Sequence, residues 1–214
     1  MKKKPRANSL ILASDSPRRL LLLHQMGLSP DLIFPAHIDK TPKYKEKPSA
    51  VAKRLAMEKA SYAADINPNC WILSADTVVG CGRRYLGKAR NISEAETFLR
   101  ILSGRRHKVA SGVCFVSPKK QIYSKIVYTT VKFKRLSERE LCDYLESREW
   151  EGKAGGYAIQ SMAETFISWI SGSYSNVAGL PIYETSSMMR GAGFVWKPSY
   201  YPIEVKRNEK RNSC

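Results

Sequence analysis

The chain has 214 residues, with 36 Lys and Arg against 19 Asp and Glu, a formal net charge of +17, and 43% hydrophobic residues. That length suits one large domain or two small lobes and is ample for a buried core, while the ordinary apolar and aromatic content excludes wholesale disorder. No apolar run approaches the roughly 18 residues of a membrane helix.

The apolar stretch after Lys2, Lys3 and Lys4 stops at Ser14 and Asp15, short of the about 7–15 residues of an export signal. A cytosolic protein is therefore expected. Cys70, Cys81, Cys114, Cys142 and Cys214 form no C-x-x-C pair, and His24, His37 and His107 lack ligand spacing. Neither a disulfide framework nor a zinc or histidine metal site is expected. The surplus of positive charge fits nucleic acid, an anionic surface or phosphorylated small molecules, and alone selects none of them.

Residues 9–13 read as a short buried strand. Ser16 and Pro17 supply a hydroxyl cap followed by proline at the first helical position, residues 20–26 have helical character, and Gly27 is a stop. Residues 32–36 are a candidate second strand. Over residues 48–64, Val51, Leu55, Ala56, Ala60 and Ala63 recur at helical spacing. The strand from Trp71 runs through Asp76 and Thr77 to Val79 and a hairpin at Gly80-Cys81-Gly82. Ser93-Glu94-Ala95-Glu96 reads as a capping box opening a helix that closes at Gly104. Residues 108–116 and 122–133 form a hairpin about Pro118-Lys119-Lys120. A second capping box at Ser137-Glu138-Arg139-Glu140 starts a helix to about residue 147. A glycine-rich stretch from Gly152 to Gln160, a strand over residues 166–170 and a helix over residues 181–190 complete the pattern. Irregular alternation with central hairpins predicts an α/β fold with a mixed sheet. Lys206, Arg207, Lys210 and Arg211 mark a basic, solvated tail.

Three segments can do chemistry. Ser14, Ser16, Arg18 and Arg19 stand between a strand and a helix N-terminus, which offers free N–H groups and a positive dipole end to phosphates. The competing reading leaves Ser16 as a cap and both arginines solvated. Asp76 ends a hydrophobic run, where a carboxylate can orient water as a base or hold Mg²⁺ beside substrate phosphates; it can equally cap the turn. Lys59 and Lys88 are phosphate contacts or ordinary surface lysines. The third segment, Gly152 to Gln160, is neither a Walker A loop nor G-x-G-x-x-G. Its glycines allow close backbone approach to a ligand and Gln160 offers a donor and an acceptor, or they make a tight turn with a solvated glutamine. Asn176-Val177-Ala178-Gly179-Leu180-Pro181 reads as a bend into the last helix.

In this order, Leu12-Ala13-Ser14-x-Ser16-Pro17-Arg18-Arg19, Glu58-Lys59-Ala60, Ala75-Asp76-Thr77-Val78-Val79, Leu86-Gly87-Lys88, Leu102-Ser103-Gly104-x-x-His107-x-Val109, Lys153-Ala154-Gly155-Gly156-Tyr157-x-Ile159-Gln160 and Asn176-Val177-x-Gly179-Leu180-Pro181 closely resemble the Maf family of nucleoside triphosphate pyrophosphatases. The resemblance runs from about Leu10 to about Phe194. It implies one domain over residues 1–194, with two lobes of a mixed sheet and flanking helices around a substrate cleft, as in the inosine triphosphatases, and a basic tail over residues 195–214. It implies cleavage of the α–β bond of a nucleoside triphosphate with a divalent metal cation, Mg²⁺ or Mn²⁺. Arg18, Thr77 and Gln160 match the three specificity positions of the branch acting on dTTP and UTP; the branch acting on 7-methyl-GTP has Trp, Gln and Glu there. Asp76 falls on the proton-acceptor position, and Ser14, Ser16, Arg19, Lys59 and Lys88 on phosphate-handling positions. Asp76 and Asp39 are the implied metal carboxylates.

The sequence also departs from that pattern. Asp39-Lys40 stands where the family often has an acidic pair, so one carboxylate gives way to a cation that can instead touch a phosphate; Ala89 and Ser161 replace a proline and a glycine. The expected partner is a nucleoside triphosphate, with a homodimer left open, no membrane, and nucleic acid not expected because no recognition motif is present. The competing reading is a basic nucleic-acid-binding or division-regulating protein with a weakened enzymatic site.

Overall fold

Strand β3 (Trp71–Cys81) carries neighbours along its whole length on one side and only at its two ends on the other. The structure, a computed structural model, describes residues 5–199. On the fully paired side runs β5 (Arg106–Val116), antiparallel from Ile72↔Val116 to Gly80↔Lys108. On the other, β1 (Leu10–Leu12) is parallel to residues 71–73, and β4 (Arg84–Leu86) folds back on residues 79–81. Residues 74–78 thus have no strand on that edge, and the sheet forks there. Beyond β5 lie β6 (Ile122–Phe133) and β7 (Ile167–Ser171), both antiparallel, while β2 (Leu32–Ile33) flanks β1, giving the order β2-β1-β3-β5-β6-β7 with β4 on β3. The expected cleft between lobes is this fork in one continuous mixed sheet.

Helices cover both faces, which explains why β3 and β5 read as almost unbroken apolar runs. On one face, α1 (Pro17–Gln25), α3 (Ile92–Leu102), α4 (Glu138–Glu146) and α6 (Ile182–Gly191) enclose a core through Leu12, Leu73, Val113, Phe115 and Phe133. On the other, α2 (Pro48–Ile66) is the one helix among the described residues, its alanines 56, 60 and 63 over Ile11, Ile72 and Cys114, and its Val51 and Leu55 over Val78 and Ala110. The small residues let the helix sit close. A Cβ at Gly112 would stand 2.3 Å from the Ala52 carbonyl oxygen, and Ser74 Oγ donates to the Ala56 carbonyl at 2.5 Å.

Several elements differ from their sequence signals. The cap of α3 is Asn91, whose Oδ1 accepts the Glu94 N–H at 2.9 Å, so Ser93 lies inside the helix. Both residues satisfy the three-residue spacing to a glutamate, but Asn91 is the one with extended backbone. The second capping box forms at Ser137 and Glu140 as expected. Phe166 ends a 3₁₀ turn (Met162–Phe166), pushing β7 one residue on, and β2 is only two residues long. The expected bend before Pro181 contains a short helix, α5 (Tyr174–Ala178), with Asn176 fully buried and bonded through Nδ2 to the Val109 carbonyl and Thr129 Oγ1. Residues beyond the expected boundary at 194 still contact the fold. Trp196 Nε1 donates to the Met26 carbonyl, Arg190 stacks 4.4 Å from the Trp196 ring, and the Ser199 N–H reaches the Gly27 carbonyl at 3.0 Å. The remaining tail lysines and arginines lie outside the described residues. Among the described residues no helix is long and apolar enough to cross a membrane.

Replacing Gly112 by alanine forces α2 away from the sheet, because the obstructing atoms are backbone. We expect Gly112→Ala to lose about 1–3 kcal/mol, the usual range for overpacking; a urea midpoint equal to wild type would contradict this packing.

Candidate active site

A cavity of about 950 Å³ fills the fork. Its first wall is the start of α1. Ser16 occupies the cap position, yet its hydroxyl makes no capping bond. Ser14 is buried behind it, where its Oγ accepts the Ser16 N–H at 3.2 Å and Arg19 Nη1 at 2.9 Å. Arg19 is also buried, donating through Nε to the Gly179 carbonyl at 2.9 Å and through Nη2 to Thr77 Oγ1 at 3.4 Å. Three of its five N–H groups are therefore held by protein, leaving two. Burial lowers the Arg19 pKa against the opposing pull of Asp76 and Asp15. Arg18 donates to the Ala178 carbonyl at 3.3 Å, and burial, then the neighbouring Arg19 charge, lowers its pKa as well.

The alternation of β3 splits its two site residues between the faces of the sheet. Asp76 points to the α2 side and forms an ion pair with Lys59, which is only 6% exposed. Desolvation lowers the Lys59 pKa, with Asp76 opposing and Arg19 and Lys40 reinforcing. Thr77 points to the α1 side, where its Oγ1 meets Ser111 Oγ at 2.8 Å and Ser111 in turn donates to the Asn176 carbonyl. Thr77 is thus locked in a chain running Arg19, Thr77, Ser111, Asn176.

The third wall joins Lys88 to the glycine-rich segment. The Gly155 N–H is shared between the Leu86 and Gly87 carbonyls, and Lys88 forms an isolated antiparallel bridge with Ala154. Gly155 and Gly156 both have φ +70°, and a Cβ at Gly155 would lie 3.0 Å from Val79. These glycines therefore build the turn itself. Two buried hydroxyls brace it: Tyr157 OH pairs with His107 Nε2 at 2.8 Å, and Tyr144 OH accepts the Ala158 N–H at 3.3 Å. Gln160, exposed, follows and lines the cavity. Ser161 sits at φ −142°, a conformation that makes no demand for glycine.

The last wall is the segment before α2. Arg54 clamps it, with Nε and Nη2 on Glu46 at 2.8 Å each and Nη2 also on the Thr41 carbonyl. The Arg54 bond holds the Glu46 carboxyl down at about 2. Asp39 Oδ1 accepts from Thr41 N and Oγ1, and Lys40 lines the cavity. Desolvation and then Lys40 lower the Lys88 pKa.

Of the sequence-derived site residues, Ser16, Arg18, Arg19, Asp39, Lys59, Asp76, Thr77, Lys88 and Gln160 all line this one cavity. Ser14 does not; it reaches the site through Arg19. Among the lining residues that were missed, two have displaced pKa values. Desolvation raises the Asp15 pKa, but Lys88, its own backbone N–H, Lys40 and Lys59 more than cancel that and lower it; its place between two site serines was the available signal. Lys153, lowered by desolvation and then by Arg18, carried none beyond its glycine neighbours.

Seven cationic and five acidic side chains line the cavity. Cations partly stripped of water and pushing down one another's pKa values form a receptor for a multiply charged anion. Among the described residues no three His, Cys, Asp or Glu side chains cluster to hold a metal unaided. Asp15, Asp39 and Asp76 nonetheless line the same space, and hard oxygen donors suit Mg²⁺, which usually takes one or two carboxylates plus substrate phosphates.

The family model described as "Maf-like protein" matches residues 9–192. Curated relatives named dTTP/UTP pyrophosphatase include one from Paramagnetospirillum magneticum, 50% identical over 185 residues (86% of this chain, 97% of that one). One from Zymomonas mobilis is 50% identical over 188 residues (88% and 93%), and one from Rhizobium etli is 52% identical over 191 (86% and 93%). The solved Ham1 protein of Staphylococcus aureus overlaps 58% of this chain and 71% of its own at a TM-score of 0.41 and 14% identity, a likeness too slight to carry an argument.

His107 makes stability depend on pH. Its Nδ1 is buried without a partner, and burial lowers the imidazole pKa from 6.5 to about 4. Between those values the unfolded chain binds a proton that the folded one refuses, so stability is lost as pH falls, by up to about 3 kcal/mol. Urea unfolding of wild type and His107→Gln at pH 7 and 4.5 checks this: the wild type should lose more on acidification, and equal losses would remove His107 as the cause.

Proposed function

The chain belongs to the Maf family, and from that membership we propose that it is a nucleoside triphosphate pyrophosphatase hydrolysing dTTP and UTP to the monophosphate and pyrophosphate. The observation that carries the reading is the convergence of Arg18, Asp76 and Gln160 with six further cations on one cavity; the names of relatives about 50% identical over most of the chain support it. The reaction belongs in the cytoplasm under the same proposal.

The chemistry follows from the walls. A triphosphate brings roughly four negative charges, which Arg18, the two free N–H groups of Arg19, Lys59, Lys88 and the N-terminal end of α1 receive. Asp76 accepts a proton from the water that attacks the α-phosphorus, and Lys59 beside it holds the carboxylate in place. As the α–β bond breaks, charge grows on the pyrophosphate oxygens, where preorganised cations stabilise it without reorganising. A divalent cation entering with the substrate would be held by Asp76 with Asp39 and Asp15, and it supplies further neutralisation of the phosphates. Gln160 presents an amide donor and acceptor that complement the neighbouring N–H and carbonyl of a uracil or thymine edge. Cytosine reverses part of that pattern and leaves a polar group unpaired. Ser14 and Thr77 act through Arg19, fixing where its remaining N–H groups point.

Incubation with a panel of nucleoside triphosphates and Mg²⁺ or Mn²⁺, quantifying pyrophosphate and orthophosphate separately, tests the reading. Pyrophosphate should accumulate with dTTP and UTP; orthophosphate as the primary product would overturn the assigned bond. Asp76→Asn should lose at least ~10² in rate. Gln160→Ala should narrow the preference for dTTP and UTP over CTP, measured as a ratio of kcat/KM values; an unchanged ratio would take Gln160 out of base selection.

A further inference from the structure

Among the described residues, the face of the sheet that α2 covers is open beyond the helix. Coverage reaches Ala110 on β5 and Ile126 on β6, both packed against Val51 and Leu55. Past that line the register aligns Arg106 with Lys132 and Trp169, Lys108 with Thr130 and Ser171, and Ala110 with Tyr128, all on one face. Arg106, Lys108 and Lys132 are exposed, Trp169 is 43% exposed and Tyr128 54%. The Arg106 guanidinium lies 4.9 Å from the Trp169 ring centroid.

Charge decides what can sit there. β5, β6 and β7 contain no Asp or Glu. Among the described residues, none of Arg106, Lys108 and Lys132 forms a salt bridge, whereas Arg54, Arg90, Arg100 and Arg148 are all paired. A second copy of this face would bring like charges together, so the fitting partner is anionic. Two exposed aromatic rings beside the cations add a requirement for flat, stackable groups. Duplexes bury their base faces, while single strands offer them alternately with phosphates.

We propose that this open sheet face, built on Arg106, Lys108, Lys132, Tyr128 and Trp169, binds single-stranded nucleic acid. Backbone positions two residues apart on a strand are about 6.6 Å apart, and those two strands apart about 10 Å, while the Arg106 and Trp169 side chains lean together across that gap. Phosphates lie along Arg106, Lys108 and Lys132, and bases stack on Trp169 and Tyr128. The face is separate from the cavity, whose lining includes none of these residues. The proposal departs from the expectation that nucleic acid is no partner, which rested on the lack of a linear motif: these residues meet only across strands.

The test uses the full-length protein with fluorescein-labelled dT20 and rU20, a 20-base-pair duplex, and polyglutamate as a polyanion without bases. Single strands should bind more tightly than duplex or polyglutamate. Trp169→Ala should weaken single-strand binding about 5–100-fold, with Trp169→Phe restoring most of it. Lys108→Gln with Lys132→Gln should lower the slope of log affinity against log salt by about 1.4, at about 0.7 per lost phosphate contact. Hydrolysis of dTTP should stay at wild-type rate in each variant. Absence of binding, equal affinity for duplex or polyglutamate, or binding indifferent to all of these substitutions would overturn the proposal. A wild type that binds single strands yet leaves dTTP intact would instead count against the pyrophosphatase reading.

Discussion

At residues 74–78 strand β3 is held by β5 on one side and by no strand on the other, because β1 stops at Leu12 and β4 reaches back only as far as Val79. A central strand normally hides both edges and shows side chains only to layers packed above and below. Here the missing partner opens the sheet from edge to both faces, so that Asp76 from one face and Thr77 from the other line the same space. The register with β5 keeps this geometry firm, since the pairing of Asp76 with Gly112 continues unbroken through the gap. Gly112 in turn lets α2 press on the sheet, and that closeness brings Lys59 to Asp76.

The charged groups in the fork are individually costly and collectively arranged. Arg19 and Lys59 are buried, yet each has carboxylate, hydroxyl or carbonyl partners, which is the condition under which buried charge is tolerated. Their residual burden shows as pKa values displaced toward the neutral form. An arriving polyanion would offset the desolvation cost and quench the mutual repulsion together. The Arg54 clamp and the His107–Tyr157 and Tyr144–Ala158 contacts hold the remaining walls in place before any ligand arrives. Preorganisation of this kind lets fixed dipoles and charges act on a reacting group without first having to move.

Much of this was legible from order and spacing along the chain. The strand into Asp76, the proline at the start of α1, the long alanine-rich helix and the capping box at Ser137 are local signals, and each produced its element. Local signals failed where two sites competed for one role, as with Asn91 and Ser93, or where tertiary contacts extended order, as with Trp196 docking on the end of α1. Convergence on one cavity came from recognising motifs in sequence order, since nothing in the spacing of Arg18 and Gln160 says they share a wall. What no linear reading supplied was cross-strand placement: the hydroxyl chain through Thr77 and Ser111, and the alignment of Arg106, Lys132 and Trp169, exist only once three strands are in register.

The fork also bears on how the two branches of the sheet move. One branch carries β1 with the start of α1; the other carries β4 with Lys88 and the turn it grips at Ala154. Among the described residues no backbone ladder ties them along residues 74–78, so hydrogen bonds between strands do not resist their spreading there. Any ligand spanning the fork from Arg18 to Lys88 would act as a cross-tie, supplying the stiffness that a second full-length neighbour of β3 would otherwise give.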